Sequence, residues 1–131
     1  MELHLKVSGL ILIILALIHL IFPKYFNWRK ELSSVSLINK QLMYVHTFFI
    51  ALILLLMGVF CLYSSKDIIY TRLGRQIAFG LFLFWIIRFV FQFFVYSPEL
   101  WKGKLFESTI HILFSFLWIY FSLVFFLISL A

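Results

Sequence analysis

The sequence predicts an all-α integral membrane protein of one domain, a four-transmembrane-helix bundle with short loops and both termini on the same side. Three observations carry this. The 131 residues are 65% hydrophobic and only 12% charged, where a water-soluble domain is nearer half apolar and a quarter charged. Four apolar stretches each approach the roughly 20 residues needed to cross a hydrocarbon core as a helix. These stretches are continuous, whereas the strands of a membrane barrel alternate over about 10 residues, and a lone spanning strand leaves its backbone unpaired in lipid.

The first helix is expected over residues 3–22, from Leu3 to Phe22, where Pro23 stops it. Glu2 near the start and the lack of a small-x-small site before Pro23 read as a retained helix rather than a cleaved signal. The second is expected over 41–63, with Ser36 as an N-cap candidate. The third, 76–96, carries Arg88 and Gln92 within its apolar run, and the fourth, 106–131, carries His111, serines, Trp118 and Tyr120.

The connections are chemically uneven. Residues 23–40 hold Tyr25, Phe26 and Trp28 beside Lys24, Arg29 and Lys30, and residues 97–105 hold Trp101 between Lys102 and nearby Pro98. Aromatic rings at headgroup depth with cations in the water make both loops interfacial. Residues 64–75 read as a short turn on the opposite face. That face and the termini together carry Lys6, Lys66, Arg72 and Arg75, four cations. The aromatic loops carry six, namely Lys24, Arg29, Lys30, Lys40, Lys102 and Lys104, a small excess that places them in the cytoplasm, with the protein in a cytoplasmic-type inner membrane. The net charge of +6 reads as contact with anionic lipid headgroups, not nucleic acid. A single cysteine, Cys61, excludes an internal disulfide and a thiolate metal cluster.

Polar residues inside the spans are few and fall toward one membrane face. His19 precedes Pro23 by four residues, His46 follows Leu42 by four, and His111 lies near the start of the fourth helix. With alternating helix directions, all three come within roughly 5–10 Å of the aromatic-loop boundary at 1.5 Å per residue. Arg88, Gln92 and Tyr96 fall at i, i+4, i+8 on one face of the third helix, and Glu107, His111, Ser115, Trp118 and Ser122 make a stripe along the fourth. Taken singly, each histidine reads as a hydrogen-bonding residue between helices, and Arg88 as a snorkelling side chain or a partner of Glu107. Taken together, His19, His46, His111, Arg88, Gln92, Tyr96 and Glu107 form a candidate intramembrane site, because ionisable groups within a span are costly, ~2.5–3.5 kcal/mol for a central arginine.

Three ligands fit that set. Two facing histidines suit a b-type haem, with Arg88 for a propionate. His19, His46 and His111 together suit a metal ion such as zinc or copper, with Glu107 or water as a fourth ligand. Arg88 and a histidine suit an anionic or quinone-like ligand. Outside binding, the expected alternatives are a non-catalytic accessory or assembly subunit of a larger membrane complex or a homo-oligomer, and a small dual-topology transporter, which nearly balanced cations favour and the lack of deep carboxylates disfavours. No nucleophile, phosphate-loop or dinucleotide pattern is present, which argues against a stand-alone enzyme. The size and four-helix plan resemble the broad DoxX-like architecture of small membrane proteins; no motif matches residue by residue, so the resemblance assigns no functional residue.

Overall fold

A computed structural model describes all residues except Ser97 and Trp101, so the interfacial role expected of Trp101 lies outside the described residues. Every regular element among the described residues is helical. In chain order these are α1 (Glu2–Tyr25), α2 (Trp28–Glu31), α3 (Leu37–Tyr63), α4 (Ser65–Tyr70), α5 (Arg72–Phe94), a 3-10 turn (Pro98–Leu100) and α6 (Leu105–Leu130). The four long ones, α1, α3, α5 and α6, are each long and apolar enough to cross a membrane. The chain packs as two compact units, residues 5–65 and residues 66–131 with 1–4.

In the first unit α1 and α3 run antiparallel in close contact. Gly9 and Gly58 face each other: a Cβ on Gly58 would lie 2.6 Å from the Gly9 carbonyl oxygen, and one on Gly9 would lie 2.8 Å from that of Gly58. Small residues let two apolar helices approach backbone to backbone where lipid provides no hydrophobic drive to association. Cys61, fully buried, fills the space beside Gly9.

Three expectations for this unit are corrected. Pro23 does not stop α1, which runs on to Tyr25, with the Phe26 amide still bonding the Phe22 carbonyl at 2.9 Å. Proline removes only its own N–H, directed at the carbonyl four residues back, and in the last turn the residues beyond it can stay helical. The chain leaves the helix at Asn27, which takes a left-handed conformation (φ 52°, ψ 51°) that asparagine tolerates better than most residues. The following Trp28 is not at the surface with Tyr25 and Phe26 but buried, its ring edge-on to Tyr44 of α3 at 5.3 Å. Similarly, α3 begins at Leu37, not 41, with Ser36 at the cap position but no side-chain cap bond. The apolar run marks hydrocarbon, and the helix continues past it through the polar Asn39 and Lys40 because nothing there breaks it.

In the second unit the expected 64–75 turn is instead helix α4 followed by a capped start to α5, four residues ahead of position 76. Thr71 accepts a hydrogen bond from the Gly74 amide at 2.9 Å and donates its hydroxyl to the Asp67 carbonyl, joining the two helices in one residue. Gly74 lies against the backbone of Asp67 and Ile68, with no room for a Cβ. α5 ends at Phe94 and not at 96; the Tyr96 amide reaches back to the Phe91 carbonyl at 3.4 Å. Gly103, at φ +76°, makes the turn into α6.

α5 and α6 form an antiparallel hairpin held by rings. Trp85 stacks on Trp118 (5.1 Å, 12°) and packs on Phe121 (4.9 Å), while Phe82 meets Phe126 at 4.9 Å. Each such pair adds about 0.5–1.5 kcal/mol beyond its buried area. Buried serine hydroxyls of α6 are satisfied within the helix: Ser115 donates to the His111 carbonyl and Ser122 to that of Trp118, both at 2.7 Å.

Candidate functional site

The polar residues that the structure joins lie on the facing sides of α5 and α6. Arg88 and Gln92 are one turn apart on α5; His111 and Trp118 are two turns apart on α6. Arg88 donates through Nη1 to Gln92 Oε1 at 3.2 Å, and Trp118 Nε1 donates to the same oxygen at 3.4 Å. Gln92 Nε2 lies 3.0 Å from His111 Nδ1 and 3.4 Å from the His111 carbonyl oxygen. The Arg88 guanidinium carbon also stands 5.1 Å from the Trp118 ring centroid and 5.3 Å from that of Tyr96, within cation–π range.

This geometry orients the network. Guanidinium and indole N–H groups only donate, so the atom between them must be the amide oxygen of Gln92. Its NH2 then faces His111, whose Nδ1 must accept. A neutral His111 therefore carries its hydrogen on Nε2, a tautomer set by Arg88 and Trp118 through a buried amide. Gln92 is 7% exposed and Trp118 6%, so the amide works in a low-dielectric setting where leaving it unsatisfied is expensive.

Beside this network α5 and α6 enclose a shallow groove of about 220 Å³. Phe89, Phe93, Ile112, Phe116 and Ile119 give it apolar walls; His111 and Ser115 also line it but present no polar surface to it. Phe93 meets the His111 ring edge-on at 5.3 Å. The Trp85 indole N–H is buried without a hydrogen-bond partner among the described residues.

The remaining predicted residues lie elsewhere. His19 and His46 belong to the 5–65 unit and His111 to the other. His19 donates from Nδ1 to the Leu15 carbonyl at 2.8 Å in its own helix and packs on Phe22, and His46 is exposed. Among the described residues, no group of three His, Cys, Asp or Glu side chains could hold a metal ion, so the His19/His46/His111 metal centre and the histidine cluster are not supported. The b-type haem reading loses its support with that cluster. The reason is rotational: equal depth fixes height along a helix but not the face on which a side chain emerges. Glu107 is exposed and does not pair with Arg88, whose contacts are instead Gln92, Tyr96 and Trp118. Tyr96, just beyond the end of α5, still offers its ring to Arg88.

Two participants are not evident from spacing. Trp118 belongs to the α6 stripe, yet only the hairpin register shows that it meets Gln92; Trp85 lies one turn before Arg88 and resembles any core aromatic. A third polar pair, His4 Nδ1 with the Tyr120 hydroxyl at 2.9 Å, ties the first turn of α1 to α6. Comparison with protein-family models, curated proteins and solved structures finds no match to this chain.

Proposed function

We propose that this is a multi-pass membrane protein whose α5–α6 hairpin binds a flat apolar ligand bearing acceptor oxygens, such as a quinone, at the Arg88–Gln92–His111–Trp118 network. The observation that carries this reading is Arg88. A guanidinium within an apolar helix has five N–H donors, yet here it makes one hydrogen bond to a neutral amide and faces two aromatic rings, with no carboxylate beside it. A carbonyl or carboxylate oxygen supplies the missing acceptor. The adjoining phenylalanine-lined groove suits the flat apolar body of such a ligand. Residues capable of hydrolysis are not assembled at this network, which favours binding or electron-carrier handling over bond cleavage.

In this reading all four long helices cross the bilayer, both termini share one face with the Ser64–Thr71 segment, and the two aromatic-basic loops lie at the other, against anionic headgroups. Purification in mild detergent followed by solvent extraction and mass spectrometry tests it. A quinone-like compound should co-purify, and re-addition of a short-chain quinone should quench tryptophan fluorescence, since Trp118 is part of the site. Arg88→Gln and His111→Phe should each abolish saturable quenching while leaving helicity intact. A ligand-free protein that shows no saturable quenching would make the network a clamp between helices and favour an accessory-subunit role.

A further inference from the structure

We propose a second site, at the opposite end of the same hairpin, that holds the phosphate of an anionic phospholipid. A recess of about 410 Å³ opens there between the start of α5 and the end of α6. Arg72, Arg75 and Gln76 line one part of it, and Phe79, Phe126 and Leu130 line another. The donors sit in the first turns of α5, and the apolar wall begins at Phe79, about 10 Å further along the helix from Arg72 at 1.5 Å per residue. Phe79, Phe82 and Phe126 continue that wall as touching rings. The remaining lining residue, Ser129, donates its hydroxyl to the Phe126 carbonyl at 2.6 Å and so does not compete for a ligand's oxygens as a donor.

The electrostatics of this helix start call for an anion. The N-terminus of a helix is its positive end, where acidic residues are stabilising and cations are not. α5 has no acidic residue in its first turn and instead places Arg72 and Arg75 there. Among the described residues neither arginine is paired with a carboxylate; the Arg75 guanidinium donates once, to the Ile69 carbonyl at 3.5 Å, and the Arg72 guanidinium makes no hydrogen bond. Two guanidinium groups at the positive end of a dipole are a local conflict that a bound phosphate relieves, and the forked donors match phosphate oxygens. A soluble phosphate would use the polar part alone. The apolar wall, continuing toward the centre of a helix long enough to span a membrane, fits an acyl chain and selects the lipid.

Full-length protein in mixed micelles of dodecyl maltoside, phosphatidylglycerol and phosphatidylcholine tests the site by the lipid that it retains, read by native mass spectrometry. Phosphatidylglycerol should be retained in preference to phosphatidylcholine. Arg72→Gln should lower that preference about fivefold and Arg72→Gln with Arg75→Gln about 25-fold, the size expected of one and two basic residues at an anionic surface. The double change Lys102→Gln with Lys104→Gln removes equal charge elsewhere and should have no effect. Inorganic phosphate and glycerol phosphate should not displace the lipid. Equal loss in the lysine variant, displacement by either soluble anion, or undiminished retention in Arg72→Gln would overturn the proposal. Should the double arginine variant lose helicity, Arg72→Gln, which removes no hydrogen bond, decides alone. Neither outcome depends on the Arg88 network, which these substitutions leave untouched.

Discussion

At the scale of single residues, Gln92 carries more of the hairpin than its neutral side chain suggests. Its oxygen accepts from Arg88 and Trp118 and its nitrogen donates to His111, so one substitution strands three polar groups at once. Gln92→Leu should lower unfolding stability by about 1–3 kcal/mol, the usual penalty for leaving buried polar groups unsatisfied, measured by detergent-induced unfolding followed by circular dichroism. Gln92→Glu keeps the acceptor for Arg88 and Trp118 and loses only the donor to His111, so it should be distinctly milder. The reverse order would mean that the His111 bond, not the Arg88 bond, holds the network. The contact between Arg88 and Gln92 was legible in the sequence, because polar residues four apart in an apolar helix must share a face. What spacing does not convey is rotation about each helix axis. Equal depth made His19, His46 and His111 look like one set, but His19 turns to the Leu15 carbonyl of its own helix and His46 to the surface.

At the scale of elements, hydropathy located the four long helices and misplaced their ends, for a physical reason. The apolar run measures the hydrocarbon layer, whereas a helix stops only where its backbone is capped or broken. Thus α3 and α5 begin four residues before their expected starts, at Leu37 and Arg72, and α1 outlasts Pro23. The Thr71 cap, with Gly74 three residues on, is a local signal in the sequence that an apolar-run reading passes over. Glycines separate close packing from mere presence. Gly58→Ala puts a methyl group 2.6 Å from the Gly9 carbonyl oxygen and 2.8 Å from Ile13, so α1 and α3 must move apart. A loss of about 1–3 kcal/mol is expected, as for other overpacked contacts. Gly80→Ala meets nothing within 4 Å and should be neutral or stabilise by up to about 1 kcal/mol through helix propensity. Thermal unfolding of the two variants side by side checks both, and maleimide labelling of the buried Cys61 should quicken in Gly58→Ala alone.

At the scale of the whole molecule, the exposed surface itself dictates the solvent. Phe48, Phe49, Phe84, Phe91, Phe116 and Leu123 are among many large apolar side chains that are about half exposed or more, spread over α3, α5 and α6. Water would not tolerate so much apolar area, and lipid requires it. The protein should therefore stay in the membrane pellet after alkaline carbonate extraction. Its sidedness follows from the number of crossings. With four, Lys66 and Lys102 lie on opposite faces, and in a Cys61→Ser background Lys66→Cys and Lys102→Cys should react with an impermeant maleimide from opposite sides of sealed vesicles; reaction of both from one side would exclude four crossings. In the proposed four-crossing arrangement the orientation rests on a narrow margin, six Lys and Arg in the aromatic loops against four on the face that would hold the termini. Changing Arg29, Lys30 and Lys40 to glutamine leaves three against four and reverses the bias. Labelling of Lys102→Cys in that background should shift from one side of the vesicle to a mixture of both, because the cation excess, unlike the helix contacts, acts only while the chain is choosing its direction of insertion. An unchanged pattern would place the determinant in the helix packing, with the close Gly9–Gly58 contact as the first element to test.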